Sequence, residues 1–495
     1  MNWEADWLAS RRRVSPAGIA LIDADGGGRY TYERLDDRAS RLAAALRDAG
    51  VGRGDRVALL SPNDVAYFDY MFACAKLGAL FVPLNYRLSE AELAYIVNDC
   101  APKAIGYAGV HEPTVAAWPI PDRRRVDDAA YARLLDDNSA PRRDSEPVDW
   151  AEPWLLIYTG GTTGKPKGVL ISHRAVWWNA VNTIVSWGLS DADVTLNCMP
   201  MFHTGGINAL TLPVLLAGGT VVLGKQFDPV LTVDWLIQYR CTNVLLVPTM
   251  YHLVVQTEQF RAGAFPPNLV FISGGAPCPL SIYDAFAARG LKFKEGYGMT
   301  EAGPNNFVIA PEEAMRRRGS VGQPMLLNKV RIVTGSGEDA RPNEVGEIWL
   351  QGHHLFNGYW NDEAATLEAM RDGWLRTGDL AKRDEDGFVY IMGRLKDMII
   401  SGGENIYPIE IEQALLSAPA VKEAAVVGVA DPKWGEAVVA AVVMHEGQRA
   451  TPEQLRAHCA ERLGRYKVPK RIVVWDRLPK TPVGKINKQA IVNML

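Results

Sequence analysis

YTGGTTGKPKG (residues 158–168) is a stretch rich in glycine, threonine and lysine. Glycines let an anion approach the backbone amides closely, and the hydroxyl and ammonium groups add further donors. The stretch is not a Walker A loop, because that motif has Ser or Thr directly after its lysine and here Pro166 follows Lys165. A short apolar run precedes it and an amphipathic stretch begins near His173. We expect a phosphate-binding loop between a strand and a helix.

The chain as a whole has the composition of a globular protein with several domains. Of its 495 residues, 48% are hydrophobic and 22% are charged. At roughly 150 residues per domain, this length indicates about two to four domains. The 53 basic and 57 acidic residues give a net charge of -4, which argues against a nucleic acid or an anionic membrane as partner.

Cysteine usage and the N-terminus indicate the compartment. The cysteines are single residues without a CxxC pair, namely Cys74, Cys100, Cys198, Cys241, Cys278 and Cys459. This spacing predicts neither a zinc site nor a disulfide framework. The N-terminus lacks the cationic start and apolar run of a signal peptide, and no window reaches about 18 uninterrupted apolar residues. We therefore expect a cytoplasmic protein with no integral membrane segment.

Short apolar runs alternate with helical patterns from about residue 30 to 300. Such alternation predicts βαβ units with mostly parallel sheets. Residues 117–150, dense in Pro, Asp and Arg, interrupt it, and we expect an exposed connection there. Between about residues 320 and 392 the spacing shortens to strands and turns, which predicts an antiparallel β subdomain.

The C-terminal part has a pattern of its own. Two candidates for buried strands, VKEAAVVGVA and EAVVAAVVM, precede a helix that begins with a capping box at Thr451. Glycines in GRLKDMIISGGEN supply the backbone freedom of a hinge. The expected fold class is α/β, with a large N-terminal domain of βαβ-type sheets plus a β subdomain (1–393) and a small mobile C-terminal α/β domain (394–495).

Four further motifs place polar residues on glycine or proline turns, namely EGYGMTEAG (295–303), WLRTGDL (374–380), GRLKD (393–397) and LPKTPVGKI (478–486). Each alone is typical of a surface turn. Together, in this order and spacing, they resemble the adenylate-forming superfamily of acyl- and aryl-CoA synthetases, peptide synthetase adenylation domains and luciferases. The resemblance extends from about residue 30 to the C-terminus.

The resemblance implies a reaction in two steps with ATP, Mg²⁺ and coenzyme A. A carboxylate attacks the α-phosphate of ATP, pyrophosphate leaves, and the thiol of coenzyme A captures the acyl-adenylate. Because a carboxylate and a triphosphate repel each other, the site must supply positive charge and orientation.

By the same resemblance, the nucleotide-binding residues come from every motif. They are Thr159, Gly160, Gly161, Thr162, Thr163, Gly164, Lys167, Gly274, Gly275, Ala276, Pro277, Glu295, Gly296, Tyr297, Gly298, Met299, Asp379, Arg394, Lys396, Gly402, Gly403 and Glu404. Residues 159–163 and Lys167 would hold the β- and γ-phosphates, and Tyr297 would stack on adenine opposite residues 274–276. Asp379, with Arg394 beside it, would accept both ribose hydroxyls.

The resemblance also assigns the catalytic residues Lys485, His203, Thr300 and Glu301. Glu301, together with Thr162, would hold the metal, and Thr300 would contact the α-phosphate. Lys485 would reach from the small domain to the bridging oxygen of the adenylate and stabilise charge there. Lys396 matches the hinge about which that domain rotates.

The motif MPMFHTGG (199–206) bears on the substrate. His203 matches the aromatic position beside the carboxylate. Thr204 stands where amino-acid-activating members have an aspartate, so an α-amino acid is disfavoured. Gly205, Gly206 and Asn208 resemble the mouth of an acyl pocket, and Trp187 and Met299 are candidates for its lining. Glycine at position 160, where serine is commonest in the family, tilts the expectation slightly towards aliphatic acids.

The expected function is therefore a carboxylic acid:CoA ligase of fatty acid metabolism that acts on a medium-chain fatty acid or an aryl acid. Two alternatives stay open. The enzyme could load an acyl group onto the phosphopantetheine of a carrier protein, or the chain could be a catalytically inactive nucleotide sensor. The expected partners are a small carboxylic acid and coenzyme A, with a homodimer as one open assembly state.

Overall fold

The structure is a computed structural model that describes residues 6–136, 146–160, 165–481 and 486–495. Its strands in chain order are β1 (Ile19–Asp23), β2 (Arg29–Thr31), β3 (Arg56–Leu60), β4 (Leu80–Pro83), β5 (Ala104–Tyr107), β6 (Asp122–Arg125), β7 (Pro153–Thr159), β8 (Lys167–Ser172), β9 (Val194–Asn197), β10 (Thr220–Leu223), β11 (Asn243–Leu246), β12 (Val270–Ser273), β13 (Lys292–Glu295), β14 (Phe307–Val308), β15 (Ser320–Pro324), β16 (Lys329–Val333), β17 (Gly346–Gln351), β18 (Gly358–Tyr359), β19 (Met370–Arg371), β20 (Trp374–Arg383), β21 (Val389–Arg394), β22 (Ile399–Ser401), β23 (Glu404–Ile406), β24 (Val421–Asp431), β25 (Gly435–Met444) and β26 (Arg471–Val474).

The helices in chain order are α1 (Trp7–Val14), α2 (Tyr32–Asp48), α3 (Ala66–Leu77), α4 (Glu90–Cys100), α5 (Glu112–Ala116), α6 (Ala129–Asp136), α7 (His173–Trp187), α8 (Thr204–Asn208), α9 (Thr211–Ala217), α10 (Pro229–Gln238), α11 (Pro248–Val254), α12 (Glu258–Ala262), α13 (Leu280–Ala287), α14 (Pro311–Arg316), α15 (Glu363–Ala369), α16 (Pro408–Leu416), α17 (Pro452–Ala460) and α18 (Lys488–Met494). Short 3₁₀ turns lie at Gly109–His111, Thr300–Ala302, Leu395–Asp397 and Arg465–Lys467. Among the described residues, no helix is both long and apolar enough to cross a membrane.

Two sheets with mostly parallel strands form the large part of the molecule. The first has the strand order β13-β12-β11-β9-β10-β1-β2, and only β2 runs antiparallel to its neighbour. The second has the order β18-β8-β7-β4-β3-β5-β6, with antiparallel pairing at β7–β8 and β8–β18. Helices α2, α3, α7 and α9 contribute to the hydrophobic core that joins them. The predicted βαβ architecture is confirmed.

The third and fourth sheets match the two shorter patterns in the sequence. The third, β14-β15-β21-β20-β17-β16 with β19 on β20, is antiparallel, as predicted. The fourth has the order β23-β22-β25-β24, with β26 parallel to β25. It packs with α16 and α17 around its own core, which includes Ile399 and Val426. The capping box of α17 forms, with Gln454 N donating to Thr451 Oγ1 at 3.2 Å.

The structure corrects two local predictions. Residues 117–150 are not simply an exposed connection, because β6 adds an edge strand to the second sheet and α6 follows it. The charged sequence of β6 obscured it, since edge strands tolerate charged residues where central strands do not. The loop at residues 158–168 does not lead directly into a helix either. It joins β7 to the antiparallel β8, and α7 begins afterwards with Ser172 as its N-cap.

Candidate active site

The site lies at the carboxyl edge of the first sheet, where β12 continues into residues 274–277 and β13 into residues 296–301. Parallel strands of open sheets commonly bind ligands at this edge. The second loop is closed on itself, because Asn306 N donates to Tyr297 O at 3.0 Å. Gly298 has no room for a side chain, since a β-carbon there would lie 2.2 Å from Pro304 C. The glycines of this motif therefore fix the shape of the loop.

Tyr297, Asp379 and Arg394, predicted from three separate motifs, lie together. The Tyr297 hydroxyl donates to Asp379 Oδ2 at 2.7 Å, and Arg394 Nε lies 3.3 Å from Asp379 Oδ1. Burial, with the carboxylate of Asp379 second, raises the pKa of Tyr297 well above its usual value, so the hydroxyl keeps its proton. Each carboxylate oxygen can accept a second hydrogen bond. Tyr297 and Arg394 thus hold the carboxylate of Asp379 in one position beside the loop.

Glu301 and Lys167 lie on either side of Tyr359. The Tyr359 hydroxyl donates to Glu301 Oε1 at 2.9 Å, and Lys167 Nζ lies 5.2 Å from the centre of the Tyr359 ring. Lys167 Nζ is also 3.2 Å from Asp362 Oδ2. Burial raises the pKa of the Glu301 carboxyl, because the charged form is poorly solvated there. A bound divalent cation would stabilise that charge, so Glu301 fits a magnesium ligand.

His203 forms the start of α8 and presents its ring beside the glycines that follow. Its Nδ1 accepts from Gly205 N at 3.2 Å, which caps the helix and leaves Nε2 as the other polar atom of the ring. Gly206 has Pro200 O 2.3 Å from the position of a β-carbon, so this turn requires glycine. Asn208 is buried, and its Nδ2 donates to Thr204 Oγ1 at 3.0 Å.

Glu295 faces away from the Tyr297 cluster. Its Oε1 accepts from the Tyr283 hydroxyl at 2.6 Å and its Oε2 from Cys278 N at 3.1 Å. Burial raises the pKa of this carboxyl to about 7. Because Cys278 directly follows residues 274–277, Glu295 ties that loop to β13. These two bonds hold the loop in place against β13.

The remaining predicted residues fall into three groups. Thr159 ends β7 and Gly160 is exposed after it, while Gly161, Thr162, Thr163 and Gly164 lie outside the described residues, as does Lys485. Gly274 is buried, Gly275, Ala276 and Pro277 are exposed, and Gly296, Met299 and Thr300 lie in the loop beside them. Lys396, Gly402, Gly403 and Glu404 are exposed on a 3₁₀ turn and on the β22–β23 turn, and are not drawn into the Tyr297 cluster.

Tyr359 is the site residue that sequence reasoning missed. It lies in β18, which pairs with β8 so that Tyr359 stands opposite Val169. The signal was present as the aromatic-flanked glycine in FNGYWND. That segment lies outside the regular alternation of strands and turns, and Gly358 adopts a positive φ of 132° there. The position of Tyr359 makes Lys167 and Glu301 parts of one cluster.

Comparison with known proteins identifies the family. The model of the AMP-binding enzymes matches residues 8–360, and the model of their C-terminal domain matches residues 410–485. The chain belongs to the AMP-binding enzymes. A feruloyl-CoA synthase of an Amycolatopsis species is 42% identical over 482 residues, covering 97% of each chain. An indoleacetate–CoA ligase of Aromatoleum aromaticum is 38% identical over 500 residues, covering 98% of this chain and 97% of that protein.

A solved structure agrees with this AMP-binding enzyme over almost its whole length. The o-succinylbenzoate CoA synthetase of Bacillus subtilis, in complex with its acyl-adenylate intermediate, superposes with a TM-score of 0.89 at 31% identity and covers 98% of this chain and 97% of its own. The same synthetase has been solved with ATP and a magnesium ion. This AMP-binding enzyme is accordingly an AMP-forming acid:CoA ligase that works through an acyl-adenylate and uses ATP, Mg²⁺ and coenzyme A.

Proposed function

We propose that this ligase activates an aryl acid or a medium-chain fatty acid, with the reacting carboxylate held between His203 and the loop that carries Thr300 and Glu301. The observation that carries the proposal is the meeting of two polar clusters on that loop. Tyr297 joins it to Asp379, 82 residues away, and Glu301 joins it to Tyr359, 58 residues away. The ribose of a bound nucleotide would lie at the Tyr297–Asp379 cluster, and its phosphates would lie at the Glu301–Tyr359 cluster.

The first step forms a bond between a carboxylate oxygen and the α-phosphorus of ATP and breaks the bond from that phosphorus to the bridging oxygen. Asp379 would orient the ribose, and Lys167 and the hydroxyls of residues 159–163 would hold the β- and γ-phosphates. Thr300 would donate to the α-phosphate. Bound magnesium offsets part of the triphosphate charge. Because the groups are held before reaction, little reorganisation is needed.

In the second step the thiol of coenzyme A attacks the acyl carbon and AMP leaves. We infer that this step follows a rotation of residues 394–495 about Lys396, which moves Lys485 away and brings residues 402–404 towards the adenylate. Supporting this, residues 402–404 form an exposed turn in which Gly402 and Gly403 have positive φ angles of 62° and 85°. We propose the boundary of the large domain at residue 393, and a cytoplasmic location.

A pyrophosphate-release screen tests the function. Purified protein is given ATP and magnesium with a panel of aryl, aliphatic and dicarboxylic acids, first with and then without coenzyme A. We expect pyrophosphate release with a subset of acids and thioester formation when coenzyme A is present. Asp379→Asn is the control, because it removes one of the ribose acceptors and should raise the KM for ATP. Absence of carboxylate-dependent pyrophosphate release with every acid would refute the proposal. If a thioester formed on the phosphopantetheine of a carrier protein and not on coenzyme A, the acceptor would be the carrier protein.

A further inference from the structure

Lys294 is a buried cation that the adenylation chemistry described above does not use. It lies in β13, and its side chain belongs to a residue only 7% exposed. Its Nζ lies 4.1 Å from the centre of the Trp187 ring. Among the described residues its ammonium has no hydrogen-bond or ion-pair partner, and burial alone lowers its pKa to about 8. A buried ammonium without a counter-charge is costly, and proteins rarely retain one without a use.

The strand register places Lys294 just behind the nucleotide site. Lys294 stands opposite Ile272 of β12, and Gly296 lies two residues further along the same face of the sheet. Side chains alternate along a strand, so Glu295 points to the opposite face, as its bonds to Tyr283 and Cys278 show. Two residues of strand span about 7 Å. The backbone of Lys294 therefore lies about 7 Å from that of Gly296, where the loop that carries Thr300 and Glu301 begins.

Helix α7 packs along the same loop and reaches Lys294 at its C-terminal end. Asn179 lies beside the same loop, because its Oδ1 is 2.7 Å from where a β-carbon on Gly303 would stand. One turn later, the Thr183 hydroxyl accepts from Asn305 Nδ2 at 2.9 Å. Another turn on, Trp187 ends the helix over Lys294. The eight residue steps from Asn179 to Trp187 rise about 12 Å along the helix, so one face of α7 runs from the Gly303 turn to Lys294.

The Trp187 ring adds a second unpaired polar group at this end. Its Nε1 is buried and has no hydrogen-bond partner among the described residues. Both unpaired groups, the indole N–H and the ammonium, are donors. An oxygen acceptor that reached the ammonium from the reaction centre would offset the cost of the buried charge.

We propose that Lys294 is a specificity-determining residue that binds an oxygen at the far end of the acyl group. The substrate class is then a carboxylic acid that carries a phenolic hydroxyl or a second carboxylate at the end opposite its reacting carboxylate. This inference rests on the proposed function and narrows it. It separates such acids from unsubstituted fatty or aryl acids of the same length, which would leave the ammonium unpaired.

The test compares matched acids on the wild-type enzyme and on Lys294→Met, which removes the charge and keeps the length of the side chain. The pairs are 4-hydroxycinnamate with cinnamate, and octanedioate with octanoate. For whichever oxygenated acid the enzyme uses, Lys294→Met should lower kcat/KM by about 10-fold or more, since a hydrogen bond to a charged group is lost. The unsubstituted partner acid should change by less than about 2-fold, and the KM for ATP should stay constant.

Two controls separate the outcomes. The unfolding temperature of Lys294→Met should be equal to or above that of the wild type, because a buried unpaired charge is removed. Equal losses with both members of each pair would overturn the proposal and make Lys294 structural. If no acid releases pyrophosphate, the proposed function fails, and calorimetric titration of the same acids then tests the role of Lys294. Tighter binding of an oxygenated acid to the wild type than to Lys294→Met would support the proposed role. Equal binding of that acid to both proteins would overturn it.

Discussion

At this site, side chains from distant parts of the chain contact each other and hold each other in position. Tyr297 and Arg394 together position the carboxylate of Asp379, and Tyr359 stands between Glu301 and Lys167. Each pair keeps polar groups satisfied before a substrate arrives, which limits the reorganisation that binding requires. Gly160, which has no side chain, and Glu295, a buried carboxyl, are the residues where substitution is most informative.

Gly160→Ser should strengthen ATP binding. Within the part of the chain that the structure describes, nothing lies within 4 Å of a β-carbon at Gly160, which leaves room for a side chain on that side. The serine hydroxyl would add one donor to the phosphate loop, worth about 1 kcal/mol, which corresponds to about a 5-fold lower KM for ATP. Steady-state kinetics with varied ATP measures it. Gly160→Ala controls for the loss of backbone freedom, and an equal effect of both substitutions would mean that the hydroxyl does not reach the phosphates.

Glu295→Gln should change how the stability of the fold depends on pH. Burial raises the pKa of the Glu295 carboxyl from 4.5 to about 7. The neutral acid therefore contributes stability that is complete below pH 4.5 and is lost as the pH rises through 7. Between these limits the wild type should lose about 3 kcal/mol relative to Glu295→Gln. Urea unfolding of both proteins at pH 5 and pH 8 measures this, and parallel pH profiles would contradict it.

Short elements after the strands determine the geometry of the substrate side. Helix α8 is held by contacts at both ends, since His203 caps its start and Asn179 Nδ2 donates to Asn208 O at 2.7 Å at its end. Its second glycine lies against the backbone of Pro200. A shift of this helix would move His203 together with the two glycines that follow it.

Gly206→Ala should therefore impair activity far more than Gly205→Ala. Both glycines lie in α8, so the gain in helix propensity is the same. A β-carbon at Gly206 would lie 2.3 Å from Pro200 O, whereas at Gly205 the nearest atom is 3.5 Å away. We expect Gly206→Ala to cost about 1–3 kcal/mol of stability and to lower kcat/KM for the acid. Thermal unfolding and kinetics of both variants measure this, and indistinguishable variants would refute the packing argument.

In the molecule as a whole, the C-terminal unit built on the fourth sheet contacts the rest of the chain through residues outside its own hydrophobic core. Helix α16 packs near β21, and the His445 ring lies 5.7 Å from that of His252 in α11. The unit has its own sheet and core, so it can move as a body while both cores stay intact. The proposed mechanism, in which Lys485 acts in the first step and moves away before the second, requires such a motion.

Lys485→Ala should abolish adenylate formation and spare the second step. In the proposed mechanism, the lysine supplies charge to the bridging oxygen only while the first bond forms. Exchange of labelled pyrophosphate into ATP should fall to background, while thioester formation from a supplied acyl-adenylate should stay near the wild-type rate. Lys488→Ala, which removes an ion pair with Glu412 at 2.8 Å, is the matched control. Equal loss of both steps in Lys485→Ala would contradict the division of roles.

Much of the architecture could be predicted because it is encoded locally. Apolar runs such as those of β10, β11 and β12 recur at strand length, and the capping box of α17 needs only Thr451 and Gln454. The predictions failed where local signals were ambiguous. The charged β6 resembles a loop, and the short β8 runs directly into α7, so its strand character is masked by the helix pattern that follows.

The sequence by itself determined the class of fold and the chemistry of the motifs, because strand and helix periods, glycine turns and polar residue types are properties of neighbouring residues. Only the tertiary structure decided which of those residues act together. Tyr359 meets Glu301 across 58 residues, and Lys294 lies under Trp187 on a different element. Likewise, the carboxylate of Glu295 faces away from the Tyr297 cluster. Such contacts depend on how sheets and helices pack, and no local pattern specifies that packing.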